Sequence, residues 1–197
     1  MRQARLIIWA IVAAVLVGLG VLMLTGQNER QPQQQTMVKA DYGGPFTLVG
    51  ADGKPFGTDQ LNGKPYALFF GFTHCPDVCP TTLARLVKLR RDAGGDSAFN
   101  IVFVTVNPER DGPKEVGAYA KAFGAPIVGL TGSAEQIAKV EKQFGIYAKK
   151  VPTGDDYTMD HTATVLLFDR KGQFVATISP EEQDGPAIEK LKRITAA

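Results

Sequence analysis

The sequence predicts an α/β layered domain with a mixed central sheet flanked by helices, preceded by one membrane-spanning helix. Two patterns predict this architecture. The run from Leu6 to Leu24 contains neither a charged residue nor a proline. Downstream, strand and helix patterns alternate, and a strand–turn–strand pattern follows them. Hydrophobic residues form 44% and charged residues 21% of the 197 positions, which is ordinary for a chain that buries a core.

The apolar run is long enough to cross a bilayer. Its 19 residues, at about 1.5 Å each, reach roughly the 30 Å of a hydrocarbon core. A cleaved signal peptide is the alternative, but the run is longer than a usual signal core and no clear Ala-X-Ala site follows. Arg2 and Arg5 precede the run, so we expect a cytoplasmic N-terminus and a periplasmic C-terminal domain. Without a transit peptide, a bacterial inner membrane is the expected location.

The chain divides into three segments. We expect residues 1–25 to be the membrane anchor, residues 26–40 a Gln-rich flexible linker, and residues 41–197 the folded domain. The net charge is +2 and the cations are scattered among acids, which argues against a nucleic-acid partner. Only two cysteines are present, so the chain is not a disulfide scaffold.

The first half of the domain predicts strands that are covered on both faces. A strand at 46–49 leads through a turn to the apolar run 66–72, which is typical of a buried strand. A helical pattern follows, in which Leu83, Leu86 and Val87 share one stripe and Gly94-Gly95 ends it. The next buried strand is 101–106.

The second half predicts a helix, a short strand, a second helix and a hairpin. The first helix ends near 123–124, the strand spans 127–130, and Ser133 with Gln136 forms a capping-box pattern. Strands 164–168 and 174–178 predict the hairpin, and a final helix spans 183–194. The polar segment 150–160 predicts a loop, either an ordinary solvated one or one that moves beside a site.

Cys75 and Cys79 stand where a central strand meets a helix, which is a favourable position for a site. In a first helical turn, residues four apart share a face, so both sulfurs could approach one metal ion. A helix N-terminus also favours the thiolate, the form that binds metals and attacks disulfides. The alternatives are a small-loop disulfide and two inert buried thiols.

The chain has two histidines. His161 precedes the strand that begins near Ala163, at the rim of the sheet, where its ring could point toward a neighbouring strand's loop and Asp160 could orient that rim. The alternative is a hydrogen-bonded surface residue. His74 directly precedes Cys75 and is interpreted as a neighbour, because adjacent side chains point in different directions. Two thiolates and one imidazole would suit Cu(I), whereas structural zinc normally takes a fourth ligand. Met159 is interpreted as a loop filler.

Several motifs together resemble the Sco/SenC family of copper proteins. They are Gly71-Phe72-Thr73-His74-Cys75-Pro76-Asp77-Val78-Cys79-Pro80, Asn107-Pro108-Glu109-Arg110-Asp111, Gly129-Leu130-Thr131-Gly132, Asp156-Tyr157 and Asp160-His161-Thr162. The resemblance implies a thioredoxin-like fold, copper ligands at Cys75, Cys79 and His161, and one copper ion per chain. One departure is visible: the family usually has Asp where this chain has Asn107, which puts any role of that acid in copper tuning or partner contact in doubt.

The resemblance implies a membrane-anchored metallochaperone that delivers copper to the binuclear copper A centre of cytochrome c oxidase subunit II, not a conventional enzyme. Other periplasmic copper carriers or thiol reductants would be further partners. The leading alternative is a thiol–disulfide reductase, with Cys75 and Cys79 as catalytic residues, that keeps the oxidase's copper-site cysteines reduced. A thiol peroxidase with Arg110 near Cys75 and a redox or copper sensor are further alternatives. For Arg110, the simpler expectation is an ion pair with Glu109 or Asp111.

Overall fold

The computed structural model describes Trp9 and residues 42–61 and 63–196. Residues Asp41–Ala197 form one compact unit. Apart from Trp9, the predicted anchor lies outside the described residues, and so does the predicted linker. Within the described part of the chain, no helix is both long and apolar enough to cross a bilayer.

Nine strands and four α-helices make up the described unit. The strands are β1 (Thr47–Gly50), β2 (Pro55–Gly57), β3 (Tyr66–Gly71), β4 (Asn100–Thr105), β5 (Val128–Thr131), β6 (Ala148–Thr153), β7 (Asp156–His161), β8 (Val165–Phe168) and β9 (Phe174–Ile178). The helices are α1 (Val78–Asp92), α2 (Pro113–Lys121), α3 (Ala134–Gln143) and α4 (Asp184–Ala196), and a short 3-10 helix covers Thr58–Leu61.

Seven strands form one mixed sheet, in the order β2-β1-β5-β4-β3-β8-β9. The three central strands β5, β4 and β3 are parallel, and the remaining pairs are antiparallel. This arrangement confirms the predicted α/β fold with a mixed sheet. The register runs from Tyr66 opposite Asn100 to Gly71 opposite Thr105, so the carboxyl ends of β3 and β4 lie side by side.

The apolar runs of the sequence form the central strands, because these strands are covered on both faces. All six residues of β3 are buried, as the unbroken apolar run at 66–72 predicted. Helix α1 packs against the sheet through the predicted stripe of Leu83, Leu86 and Val87, which are all buried. Helix α3 begins with the predicted capping box, in which Ser133 Oγ accepts from Gln136 N at 3.2 Å and Gln136 Oε1 accepts from Ser133 N at 2.8 Å.

The polar segment predicted as a loop is a separate two-stranded hairpin. Strands β6 and β7 pair in register from Ala148 opposite His161 to Thr153 opposite Asp156. Gly154 turns the chain with φ of 65°, a value that a tight two-residue turn readily accommodates at glycine. The loop prediction was wrong because most residues of the hairpin are exposed. The turn-forming Pro152 and Gly154 also outweigh the polar–apolar alternation of β7, in which Tyr157, Met159 and His161 are half-buried.

Candidate metal centre

The two cysteines lie on different elements. Cys79 is the second residue of α1 and its side chain is fully buried, whereas Cys75 lies in the loop between β3 and α1 and is partly exposed. The backbone N–H of Cys79 donates to Cys75 Sγ at 3.4 Å. A backbone N–H at the start of the helix therefore points at the Cys75 sulfur. Contrary to the sequence prediction, the two cysteines do not share one helical turn, because Cys75 lies before the helix begins.

Burial is the main influence on the pKa of the Cys79 thiol. It raises the pKa of Cys79, and the nearby Cys75 and Asp111 raise it further against one opposing hydrogen bond from the backbone of Phe72. The raised pKa of Cys79 is opposite to the expectation that the helix N-terminus would favour its thiolate. Desolvation of the charged form outweighs the helix dipole at a fully buried sulfur.

The strand end is shaped to admit the Cys79 sulfur. A Cβ atom on Gly71 would lie 2.9 Å from Cys79 Sγ, 3.0 Å from a Phe103 ring carbon and 3.1 Å from a Phe69 ring carbon. Only a residue without a side chain leaves room for the sulfur at the end of β3. The sequence contains this glycine within a motif, but nothing in the pattern predicts its contact with Cys79.

His161 lies at the sulfur of Cys79, 82 residues away in sequence. Its Nε2 is 3.4 Å from Cys79 Sγ, and its Nδ1 is 3.0 Å from the carbonyl oxygen of Thr162. A carbonyl accepts hydrogen bonds only, so Nδ1 carries the proton and Nε2 presents its lone pair to the thiol. The Cys79 S–H can then donate to Nε2.

The surroundings keep the imidazole neutral. Burial lowers the pKa of His161, although the Thr162 carbonyl and the charge of Asp160 oppose that shift. The ring packs edge-on against Phe69 and Phe72, with centroid distances of 6.2 and 5.8 Å. The hydrogen-bond partner that orients the ring is therefore the Thr162 carbonyl. A neutral imidazole fixed through Nδ1 is the form in which histidine ligates metals.

The three predicted metal ligands are only partly assembled. The structure brings Cys79 Sγ to His161 and Cys75 Sγ to the amide of Cys79. Among residues 42–61 and 63–196, no three His, Cys, Asp or Glu side chains are grouped so that they could hold a metal ion as they stand. The donor types, two sulfurs and one imidazole nitrogen, fit a soft ion such as Cu(I).

The other sequence candidates lie around this site. The side chain of His74 is 61% exposed, with Nδ1 3.1 Å from Thr73 Oγ1 and 3.6 Å from Asp111 Oδ1, so it is a neighbour as predicted. Met159 is partly buried against the core. Arg110 forms its ion pair with Asp156, not with the expected Glu109 or Asp111.

Asn107 has a defined structural role. It is almost completely buried, and its Oδ1 accepts a hydrogen bond from the Tyr157 hydroxyl at 3.0 Å. A neutral amide can occupy this buried position without the desolvation penalty of a carboxylate. The departure from the Asp usual in the family is therefore compatible with the packing around the site.

These features define a class of protein: a thioredoxin-like α/β domain whose dithiol, at a strand–helix junction, has a neutral imidazole beside one sulfur. The chain belongs to the SCO1/SenC family, whose model matches residues 34–196.

Two curated relatives illustrate the similarity. The chain is 41% identical over 142 residues to the mitochondrial SCO1 homolog 1 of Arabidopsis thaliana, which covers 70% of this chain and 42% of that protein. It is 35% identical over 155 residues to the mitochondrial SCO2 of Saccharomyces cerevisiae, which covers 76% of this chain and 52% of that protein. The chain thus spans about half the length of these curated relatives.

Two solved structures share the fold. The structure of Bradyrhizobium japonicum ScoI with copper bound is 45% identical, with a TM-score of 0.69 over 77% of this chain and 98% of that one. The structure of BsSco, described as a Sco-family cytochrome c oxidase assembly protein with a disulfide switch, is 25% identical, with a TM-score of 0.62 over 78% of this chain and 94% of that one.

Proposed function

We propose that this chain is a copper metallochaperone, anchored in a bacterial inner membrane, that delivers copper to the copper A centre of cytochrome c oxidase subunit II. One copper ion per chain is its cargo, held by Cys75, Cys79 and His161. The observation that carries the proposal is the 3.4 Å approach of His161 Nε2 to Cys79 Sγ. The copper-bound ScoI structure and the description of BsSco as an oxidase assembly protein support it.

The site's residues divide the work of binding. The Thr162 carbonyl fixes His161 with Nε2 free, and burial keeps the ring neutral near pH 7. Copper binding displaces the proton that the buried Cys79 thiol holds, so binding releases protons. Cys75 is partly exposed and completes the ligand set by moving from the Cys79 amide. A ligand at the surface gives an incoming partner thiol access to the ion, as transfer by ligand exchange requires.

The proposal is tested by Cu(I) competition titrations on the reduced unit Asp41–Ala197, with His161→Ala beside His74→Ala as the matched control. We expect one copper per chain for the wild type and for His74→Ala. His161→Ala should weaken binding by at least about 100-fold, because a ligand is lost and not merely reoriented. Near-normal affinity of a folded His161→Ala chain would remove His161 from the ligand set.

A second candidate function is a thiol–disulfide reductase. The amide of Cys79 donates to Cys75 Sγ, and Cys75 is the more exposed cysteine, so it is the thiol that a partner disulfide can reach. Cys75 would attack a disulfide of the partner to form a mixed disulfide, and Cys79 would then displace the partner's second thiol. The partner gains two electrons and this chain ends with a Cys75–Cys79 disulfide.

His161 distinguishes the two functions in cells. A folded His161→Ala chain that fully restores oxidase assembly would favour the reductase, because copper transfer loses a ligand, whereas in disulfide exchange the Cys79 proton can pass to the departing partner thiolate. Failure to restore assembly favours copper transfer. The peroxidase alternative loses its expected activating residue, since Arg110 is engaged by Asp156 and by the ring of Tyr157.

A further inference from the structure

The two halves of the site are carried by elements that are far apart in sequence. The cysteines lie around the start of α1, and His161 ends the β6–β7 hairpin, which is outside the seven-stranded sheet. One turn, Asn107–Asp111 between β4 and α2, contacts both elements. The side chains of this turn contact residues that are not candidate metal ligands, and the sequence alone predicts no positioning role for them.

Asp111 holds the loop that carries the cysteines. Its carboxylate is fully buried and accepts three hydrogen bonds, from Thr73 N at 2.9 Å, Thr73 Oγ1 at 2.6 Å and Thr105 Oγ1 at 2.6 Å. Its carbonyl accepts from Thr131 Oγ1 at 2.6 Å, which fixes the turn to β5. A buried carboxylate with three donors is a strong restraint, and Thr73 stands two residues before Cys75.

The same turn holds the hairpin that carries His161. The Tyr157 hydroxyl donates to Asn107 Oδ1 at 3.0 Å, and the Arg110 guanidinium lies 3.7 Å above the centroid of the Tyr157 ring. Arg110 also donates to the Tyr157 carbonyl at 3.3 Å and pairs with Asp156. Tyr157 lies on the strand of His161, four residues before it, so these contacts fix the strand that ends at the imidazole.

We propose that the Asn107–Asp111 turn is the positioning element that sets the separation between the sulfurs and the imidazole. Asp111 acts through Thr73 on the cysteine loop, and Asn107 with Arg110 acts through Tyr157 on the hairpin. This inference deepens the proposed function, and only its copper readout rests on that function.

The test uses variants that remove one hydroxyl from each arm of the turn's contacts. Thr73→Val removes the side-chain bond to Asp111, and Thr73→Ser restores it. Tyr157→Phe removes the bond to Asn107, and Tyr147→Phe is its control, because Tyr147 is an exposed tyrosine at the base of the hairpin. Circular dichroism confirms that each chain is folded.

Two readouts need no metal. In the reduced chain, Thr73→Val should change the alkylation rate of Cys75 by about threefold or more, because the loop that carries Cys75 loses one of its hydrogen bonds to the buried Asp111 carboxylate. Thr73→Ser should restore the wild-type rate. Tyr157→Phe should shift the imidazole NMR resonances of His161, and Tyr147→Phe should leave them unchanged.

The copper readout is the absorption spectrum of the copper-loaded chain. Thr73→Val and Tyr157→Phe should alter this spectrum, and the control variants Thr73→Ser and Tyr147→Phe should leave it unchanged. Folded variants with a wild-type alkylation rate and wild-type His161 resonances would overturn the positioning role. If Thr73→Val does not fold, the Tyr157→Phe resonances decide the question. A wild-type chain that takes up no copper would refute the proposed function alone, and the metal-free readouts would still test the turn.

Discussion

Replacing Gly71 with alanine tests whether the end of β3 is shaped around the Cys79 sulfur. The added methyl group would lie 2.9 Å from Cys79 Sγ and within 3.1 Å of carbons in two buried phenylalanine rings. Contacts this short force side chains or backbone to shift, which in a packed core lowers the free energy of unfolding by about 1–3 kcal/mol. Because the sulfur is the closest atom, we also expect it to move relative to His161 Nε2.

The assay combines urea unfolding with Cu(I) competition titration on the unit Asp41–Ala197. Gly117→Ala is the matched control, because its added Cβ would lie 2.7 Å from Ala51 Cβ and touches neither sulfur. Both variants should lose stability, and Gly71→Ala alone should lose copper affinity, by about tenfold if the displaced sulfur weakens the binding free energy by about 1.4 kcal/mol. Equal copper affinities in the two variants would refute the argument that Gly71 shapes the site.

Two further predictions concern stability away from the sulfurs. Burial raises the pKa of Glu141 to about 7 from its ordinary 4.5, so the folded chain retains a proton that the unfolded chain releases, and stability should fall as pH rises from 4.5 to about 7. Glu141→Gln should abolish this dependence and unfold with a free energy about 1 kcal/mol higher than the wild type above pH 7, a value discounted for partial exposure; identical pH profiles in urea melts would contradict it. Arg85 donates to Asp184 at 2.9 Å and to three carbonyls in the segment before α4, so Arg85→Gln should lower the free energy of unfolding by about 1–2 kcal/mol. Arg91→Gln, which breaks only the exposed pair with Asp96, should change it by less than about 0.5 kcal/mol, and equal losses would show that the Arg85 contacts contribute nothing special.

The fold was readable from sequence where a segment's pattern and its environment agreed. The run at 66–72 contains no polar alternation because β3 is buried on both faces, and Ser133 with Gln136 formed the capping box that their spacing predicted. The β6–β7 hairpin was missed because five of the six residues of β6 are exposed and Pro152 lies within that strand, although Met159 of β7 packs partly against the core. Local patterns report burial, so a mostly exposed strand that contains a proline resembles a loop in sequence.

The sequence predicted which residues could form the site, but not how they are arranged. Motif order identified Cys75, Cys79 and His161 as candidates, and the family match to residues 34–196 agrees with the resemblance that those motifs carried. Neither pattern nor resemblance gave the 3.4 Å approach of His161 to Cys79 or the hydrogen bond that frees its Nε2.

The sequence by itself determined the order of the core strands and the helices, the candidate donor residues and the family of the chain, because these depend on local burial and on residue type. Tertiary structure alone decided that Cys79 is the buried and protonated sulfur, that the Thr162 carbonyl orients the imidazole, and that Asp111 joins loops 38 residues apart. The physical reason is that desolvation and hydrogen-bond partnership depend on which distant segments fold against a residue, and no local pattern records that.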